Sequence, residues 1–165
     1  MDVIRRRKAP ERQSSGRAPS AKKPSQEQPR LGMLVKRAEQ AMVRAKSTAL
    51  KAVGLTPSQY VALVELDQQP GITAATLARA CLVTPQAMMI LLKTMEQQGL
   101  ISRSSHPRHP NVLELDLTDV GREALHAACQ KVDPMEQRAF GIFSAADLVL
   151  FRGFLSRFIA AFERE

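Results

Sequence analysis

The chain has 165 residues, an apolar share of 44% and a formal net charge of +8. That length suits one compact domain with a tail, and the absence of Trp with a single Tyr leaves the core to Leu, Val, Ile, Ala, Met and a few Phe. Two cysteines, Cys81 and Cys129, are too few for a disulfide scaffold. No run of roughly 20 apolar residues reads as a membrane span, so the expected setting is a reducing cytoplasm with no membrane partner.

Residues 1–30 hold nine basic residues (Arg5, Arg6, Arg7, Lys8, Arg12, Arg17, Lys22, Lys23, Arg30) against three acidic ones (Asp2, Glu11, Glu27), a net of +6. The remaining 15 basic and 13 acidic residues net only +2, so charge alone says little about the partner of the folded part. Residues 1–30 are rich in Pro, Ser, Gln, Lys and Arg without apolar periodicity, which predicts a disordered basic tail. It is either a solvated leader or an arm that touches DNA phosphates. No apolar segment follows the basic run, so it does not read as a secretory signal.

From Leu31 the pattern changes. Leu31, Leu34, Val35, Ala38, Ala41, Met42, Ala45 and Ala49 recur at steps of three and four, one face of a long helix that Gly54 ends. Thr56-Pro57 then gives a capping hydroxyl followed by a proline suited to the first helical position. Tyr60, Leu63, Val64 and Leu66 supply that helix with a buried face, and Pro70-Gly71 stops it. Thr73 is the expected cap of a short third helix with Leu77, Ala78 and Cys81 inward. Thr84-Pro85 opens a fourth that runs to Gly99.

Beyond Gly99 the period switches from helical to alternating. Leu100 to Arg103 reads as one strand and Val112 to Leu117 as another, with His106 to Asn111 as the loop between them. Thr118 is the expected cap of a long helix, with Gly121 where a capping box would have Glu. Pro134 is expected to kink that helix or to end it at a short break. A last helix from near Ser144 carries a wide apolar stripe of Leu148, Phe151, Phe154, Leu155, Phe158, Ile159 and Phe162.

A short helix, a tight turn, a second helix and a hairpin make a helix-turn-helix with a wing, whose second helix fits the DNA major groove. Residues 31–165 resemble the MarR family (multiple antibiotic resistance regulators). The resemblance rests on Leu77-Ala78-Arg79, Thr84-Pro85-Gln86, Leu91, Glu96, Gly99-Leu100-Ile101, Arg103 and Leu117-Thr118-Asp119 with Gly121. It implies a mainly α fold with a small two-stranded β wing. Residues 55–118 would be the winged helix-turn-helix, residues 31–54 and 119–165 the helices of a dimerisation platform, and Thr84 to Gln98 the recognition helix. The broad stripes of the first and last helices independently favour burial against a second copy, a homodimer.

The expected DNA-facing residues are Thr73, Thr84, Pro85, Gln86, Ala87, Met89, Ile90, Lys93 and Thr94, with Arg103, His106, Arg108 and His109 from the wing. Gln86 matches the N6/N7 edge of adenine, Ala87, Met89 and Ile90 suit thymine methyls, and Lys93 suits phosphate. Two positions depart from the family pattern. His109-Pro110-Asn111 stands where the family often carries Asp-x-Arg, and Ile90 where it often has a polar or basic residue.

The family also implies release by a small-molecule effector bound between platform and winged domain. Met42 and Tyr60 are the candidates to face it. His106 and His109 lie three apart without an adjacent acidic ligand, so the expectation is no metal and no cofactor. Cys81 and Cys129 read as structural, and no catalytic set is visible, so the chain is expected not to be an enzyme. Two other functions remain open. One is a non-specific nucleic-acid-associated protein driven by the basic tail; the other is a protein-docking module on a degenerate winged helix, supported by Met89 and Ile90.

Overall fold

The computed structural model describes residues 30–106 and 108–162, with His106 and Pro110 described by their backbone alone. The expected tail, apart from Arg30, therefore lies outside the described residues.

The chain order is α1 (Leu31–Lys51), α2 (Pro57–Gln68), α3 (Ala74–Ala80), α4 (Pro85–Gln97), β1 (Ile101–His106), β2 (His109–Leu117), α5 (Asp119–Phe140) and α6 (Ala145–Phe162). This is the mainly α architecture with a two-stranded wing that the pattern predicts. Four helices open on the expected threonines. The hydroxyls of Thr56, Thr73, Thr84 and Thr118 accept from the backbone N–H groups of Gln59, Thr76, Ala87 and Gly121. At Thr56 the box is reciprocal, because Gln59 Oε1 accepts from the Thr56 N–H at 2.9 Å.

The core is one aliphatic cluster. Leu50 from α1, Leu63 and Leu66 from α2, Leu77 from α3, Met88, Leu92 and Met95 from α4, Leu115 from β2 and Val132 from α5 are all fully buried in it. Cys81 follows α3 as its C-cap and packs against this cluster at intermediate burial, so its expected inward position is only partly realised. Among the described residues, α1 buries only Leu50 and α6 buries none. The apolar stripe of α6 is instead solvent-facing in the single chain, with Phe154, Phe158 and Phe162 exposed and two aromatic pairs, Phe143 with Phe151 and Phe158 with Phe162, lying on it.

Two sequence expectations need correction. The wing loop is shorter than His106 to Asn111, because the antiparallel ladder runs from Ile101 opposite Leu117 out to His106 opposite His109. Pro110 is tolerated within β2 because each strand of a two-stranded sheet has an outward edge where a missing N–H breaks no ladder bond. And α5 continues through Pro134 as one helix to Phe140, after which the chain turns by about 100° into α6. The last helix starts just after Ser144, as its pattern predicts. The Ser144 hydroxyl accepts from the Asp147 N–H at 3.2 Å and donates to the Asp147 carboxylate at 2.7 Å. The hydroxyl and then the backbone N–H of Ser144, both donating to Asp147 Oδ2, hold that carboxyl below its ordinary range. No single described helix is long and apolar enough to cross a membrane.

Candidate nucleic-acid interface

Helix α4 has two faces of opposite fate. Met88, Leu92 and Met95 anchor it in the core and Leu91 is half-buried, while Gln86, Ala87, Met89, Ile90, Lys93 and Thr94 are exposed on the other side. The turn before it follows from backbone bonds, Leu82 N–H to Arg79 O at 3.1 Å and Val83 N–H to Ala78 O at 3.0 Å. These put Leu82 at φ +56, a left-handed conformation that costs a side-chain-bearing residue about 1 kcal/mol or more, and leave its side chain 91% exposed.

The far end of α4 is tied down on three sides. Gln59, only 3% exposed, donates from Nε2 to Gln98 Oε1 at 2.6 Å, linking the cap of α2 to the end of α4. Thr118 donates its hydroxyl to Gly99 O at 2.6 Å, linking α4 to α5. Arg103 of β1 holds Glu96 of α4. Nη2 donates to Oε2 at 3.0 Å, and Nε lies 2.6 Å from Oε1 as an ionic contact rather than an aligned hydrogen bond. Helix α4 is thus fixed to α2, α5 and the wing through polar side chains that its own periodicity does not reveal. The sequence reading gave Gln59 and Gln98 no role in the site, and quoted Glu96 only within the family pattern, without its bond to Arg103. The sequence held one faint signal, a Glu and an Arg of opposite charge on either side of the Gly99 helix stop.

The expected DNA-facing residues fall into distinct positions. Thr84 and Pro85 open α4 at the exposed end of its outer face. Thr94 donates its hydroxyl to Ile90 O at 3.2 Å. Thr73 is half-buried, caps α3 and shares a 3.1 Å hydrogen bond with Thr76, which in turn accepts from the exposed Arg79. Arg108 and His109 are exposed at the wing tip. Arg103 is not at the tip: its half-buried guanidinium is neutralised by Glu96, which makes it a strut between the wing and α4. The side chain of His106 lies outside what is described. Two open grooves flank Ile90. One, of about 380 Å³, runs from Thr56 and Gln59 to Ala87, Ile90 and Thr94. The other, of about 560 Å³, lies among Met89, Ile90, Lys93, Glu96 and Arg103.

Met42 and Tyr60 line neither groove. Tyr60 is buried where α1, α2 and α5 meet, and Met42 is exposed one helical turn before Lys46. The Lys46 ammonium sits 5.9 Å from the centre of the Tyr60 ring and 2.8 Å from Glu136 of α5. Burial, then Cys129, Asp133 and Glu136, push the Tyr60 phenol up to about 12. Burial and Glu65 push the Cys81 thiol up to about 11, which keeps it in its unreactive thiol form at neutral pH.

Comparison with known proteins fits this geometry. A family model described as MarR family matches residues 53–109, from the end of α1 to the wing tip. The HTH-type transcriptional repressor Rv2887 of Mycobacterium tuberculosis is 33% identical over 135 residues, covering 82% of this chain and 86% of that protein. This chain belongs to the MarR family. As a MarR-family protein it is a DNA-binding transcriptional regulator of the winged helix-turn-helix type. The solved structures extend the match to the fold. The crystal structure of Rv2887 in complex with salicylic acid aligns at a TM-score of 0.64 and 31% identity, over 80% of this chain and 98% of that one. CouR bound to a 23-mer DNA duplex aligns at a TM-score of 0.73 and 26% identity, over 79% of this chain and 92% of that one.

Proposed function

We propose that this MarR-family chain is a homodimeric repressor that reads a pseudo-palindromic DNA site with one α4 from each subunit and leaves it when a small molecule binds. The observation that carries the reading is the outer face of α4, exposed while its far end is held by Gln59, Arg103 and Thr118. A helix presented in that way keeps its side chains in register with base edges at little further ordering cost. The relative Rv2887 is named a repressor and has been solved with salicylic acid, and CouR has been solved on DNA, which supports repression, effector and duplex for this chain.

In this reading residues 55–118 bind DNA. Gln86, Ala87, Met89, Ile90, Lys93 and Thr94 face the major groove, Thr73, Thr84 and Pro85 lie toward the backbone, and Arg108 and His109 reach outward from the wing. Residues 31–54 and 119–165 form the dimer platform, because the exposed stripes of α1 and α6 are more apolar surface than a single chain of this size ordinarily leaves in water. The junction of Tyr60, Lys46 and Glu136, with Met42 at its margin, is where an effector would act on the angle between platform and winged domain. The chain works in the cytoplasm, without enzymatic activity and without cofactor.

Binding of the full chain to its own upstream DNA and to scrambled DNA of equal length, at two salt concentrations, tests the proposal. A preference that survives the higher salt supports it; equal binding lost with salt would leave only the electrostatic attraction of the basic tail. The exposure of Met89 and Ile90 favours one second reading, a protein-docking surface. In that case Lys93→Ala and Ile90→Ala leave DNA affinity unchanged.

A further inference from the structure

The outer face of α4 is poor in the groups that usually read base edges. The helix contains no arginine, so it lacks the side chain that most often recognises guanine through O6 and N7. Its single acid, Glu96, is held by Arg103. Its hydroxyls are partly committed: Thr94 has given its proton to Ile90 O, and Thr84 already accepts from the Ala87 N–H. Three polar tips remain uncommitted in the geometry: the Gln97 amide at the far end and, nearer the start, the Gln86 amide and the Lys93 ammonium two turns on from it. Between Gln86 and Lys93 stand Met89, 48% exposed, and Ile90, 71% exposed. Ile90 also borders both grooves, so it forms a ridge with hollow ground on either side.

We infer that this surface selects its DNA chiefly through the C5 methyl groups of thymine, read by Met89 and Ile90. The inference rests on the reading of α4 as a major-groove helix. The chemistry is restrictive. An apolar ridge pressed into the groove against a cytosine amino group or a guanine O6 strips water from a polar atom and returns no hydrogen bond. Against a thymine methyl it buries apolar surface on both sides. The flanking hollows accept such methyls without moving the backbone, and the adjacent Gln86 amide matches adenine on the partner strand. The half-site is therefore expected to be rich in A·T pairs at the positions under Ile90, with Lys93 contributing phosphate affinity that carries no sequence preference.

Removing the methyl group alone tests this. Duplexes enriched by the full chain from a random-sequence pool are synthesised twice, with thymine or with deoxyuridine in the half-sites, leaving every hydrogen-bonding group in place. Each buried methyl lost is expected to weaken binding about fourfold, and both half-sites together tenfold or more. The exposed Ile90→Ala variant, checked for native circular dichroism, should bind the thymine and deoxyuridine duplexes with nearly equal affinity. If the wild-type chain prefers its selected sequence over scrambled DNA yet ignores the methyl removal, methyl reading is wrong while sequence-specific binding stands. If Ile90→Ala keeps the full methyl effect, Ile90 is not the reader. If no sequence is enriched at all, the underlying DNA reading fails and takes this inference with it.

Discussion

Gly121, in the first turn of α5, lies so close under the backbone carbonyl of Leu100 that a β-carbon added there would overlap the oxygen. The same carbonyl accepts from the Thr118 N–H at 3.1 Å, and the Thr118 hydroxyl donates to Gly99 O. Gly99 itself sits at φ +68, the left-handed conformation that ends α4. One backbone crossing therefore joins the end of α4 to the start of α5.

Gly121→Ala should break that crossing. The alanine gains helix propensity, but overpacking against backbone outweighs it, so a net loss of about 2 kcal/mol is expected in urea unfolding. DNA affinity should fall with it, because the end of α4 has to shift. An unchanged midpoint would show that α5 slides freely past Leu100.

The ion pair of Arg103 with Glu96 makes a different prediction. Both groups are partly exposed, so Arg103→Met should cost only about 1 kcal/mol of stability or less. Its main effect should be on the wing, with faster amide hydrogen exchange across Ser102 to Ser105 and weaker DNA binding. Adding Glu96→Met should produce little further loss, since the two side chains act as one strut. Independent, additive losses would instead mean that Arg103 touches DNA directly.

How much of this was legible beforehand depends on the range of the interaction. The caps at Thr56, Thr73, Thr84 and Thr118 were readable because a capping hydroxyl meets a backbone N–H only three residues on. The outward face of α4 was readable from its period. The strut from Glu96 to Arg103 and the bond from Gln59 to Gln98 were not, because they join residues brought together only by packing. Gly121 was visible as an irregular capping residue, but its cause, the carbonyl of Leu100, is tertiary. The wing loop was overestimated because Pro110 reads as a breaker until the strand is known to be at an edge.

The exposed aromatic stripe of α6 predicts the consequence of charge there. Phe154→Asp with Phe158→Asp should leave the helical content of residues 55–118 intact and shift the full chain from dimer to monomer in light scattering. Operator affinity should drop at least tenfold as the second α4 is lost. A dimer that persists unchanged would place the interface elsewhere.

Tyr60 supplies a pH prediction. Its phenol titrates near 12 in the folded chain against 10.0 for the free group, so folding favours the protonated form. That contribution is complete below pH 10 and is lost as pH rises through about 12, giving an alkaline unfolding limb in this window. Tyr60→Phe should flatten the limb without affecting stability at pH 7 beyond the loss of packing with Lys46. A limb of the same steepness in the variant would assign it to other groups.

The central claim is that two copies of the chain place two α4 helices in successive major grooves of one duplex. Hydroxyl-radical footprinting on the selected DNA, with the stoichiometry measured on the same complex, tests it most directly. The account predicts two chains per site and two protected regions centred about 10 base pairs apart, related by a two-fold axis. One chain per site, or protection that spreads evenly along the duplex, would contradict it.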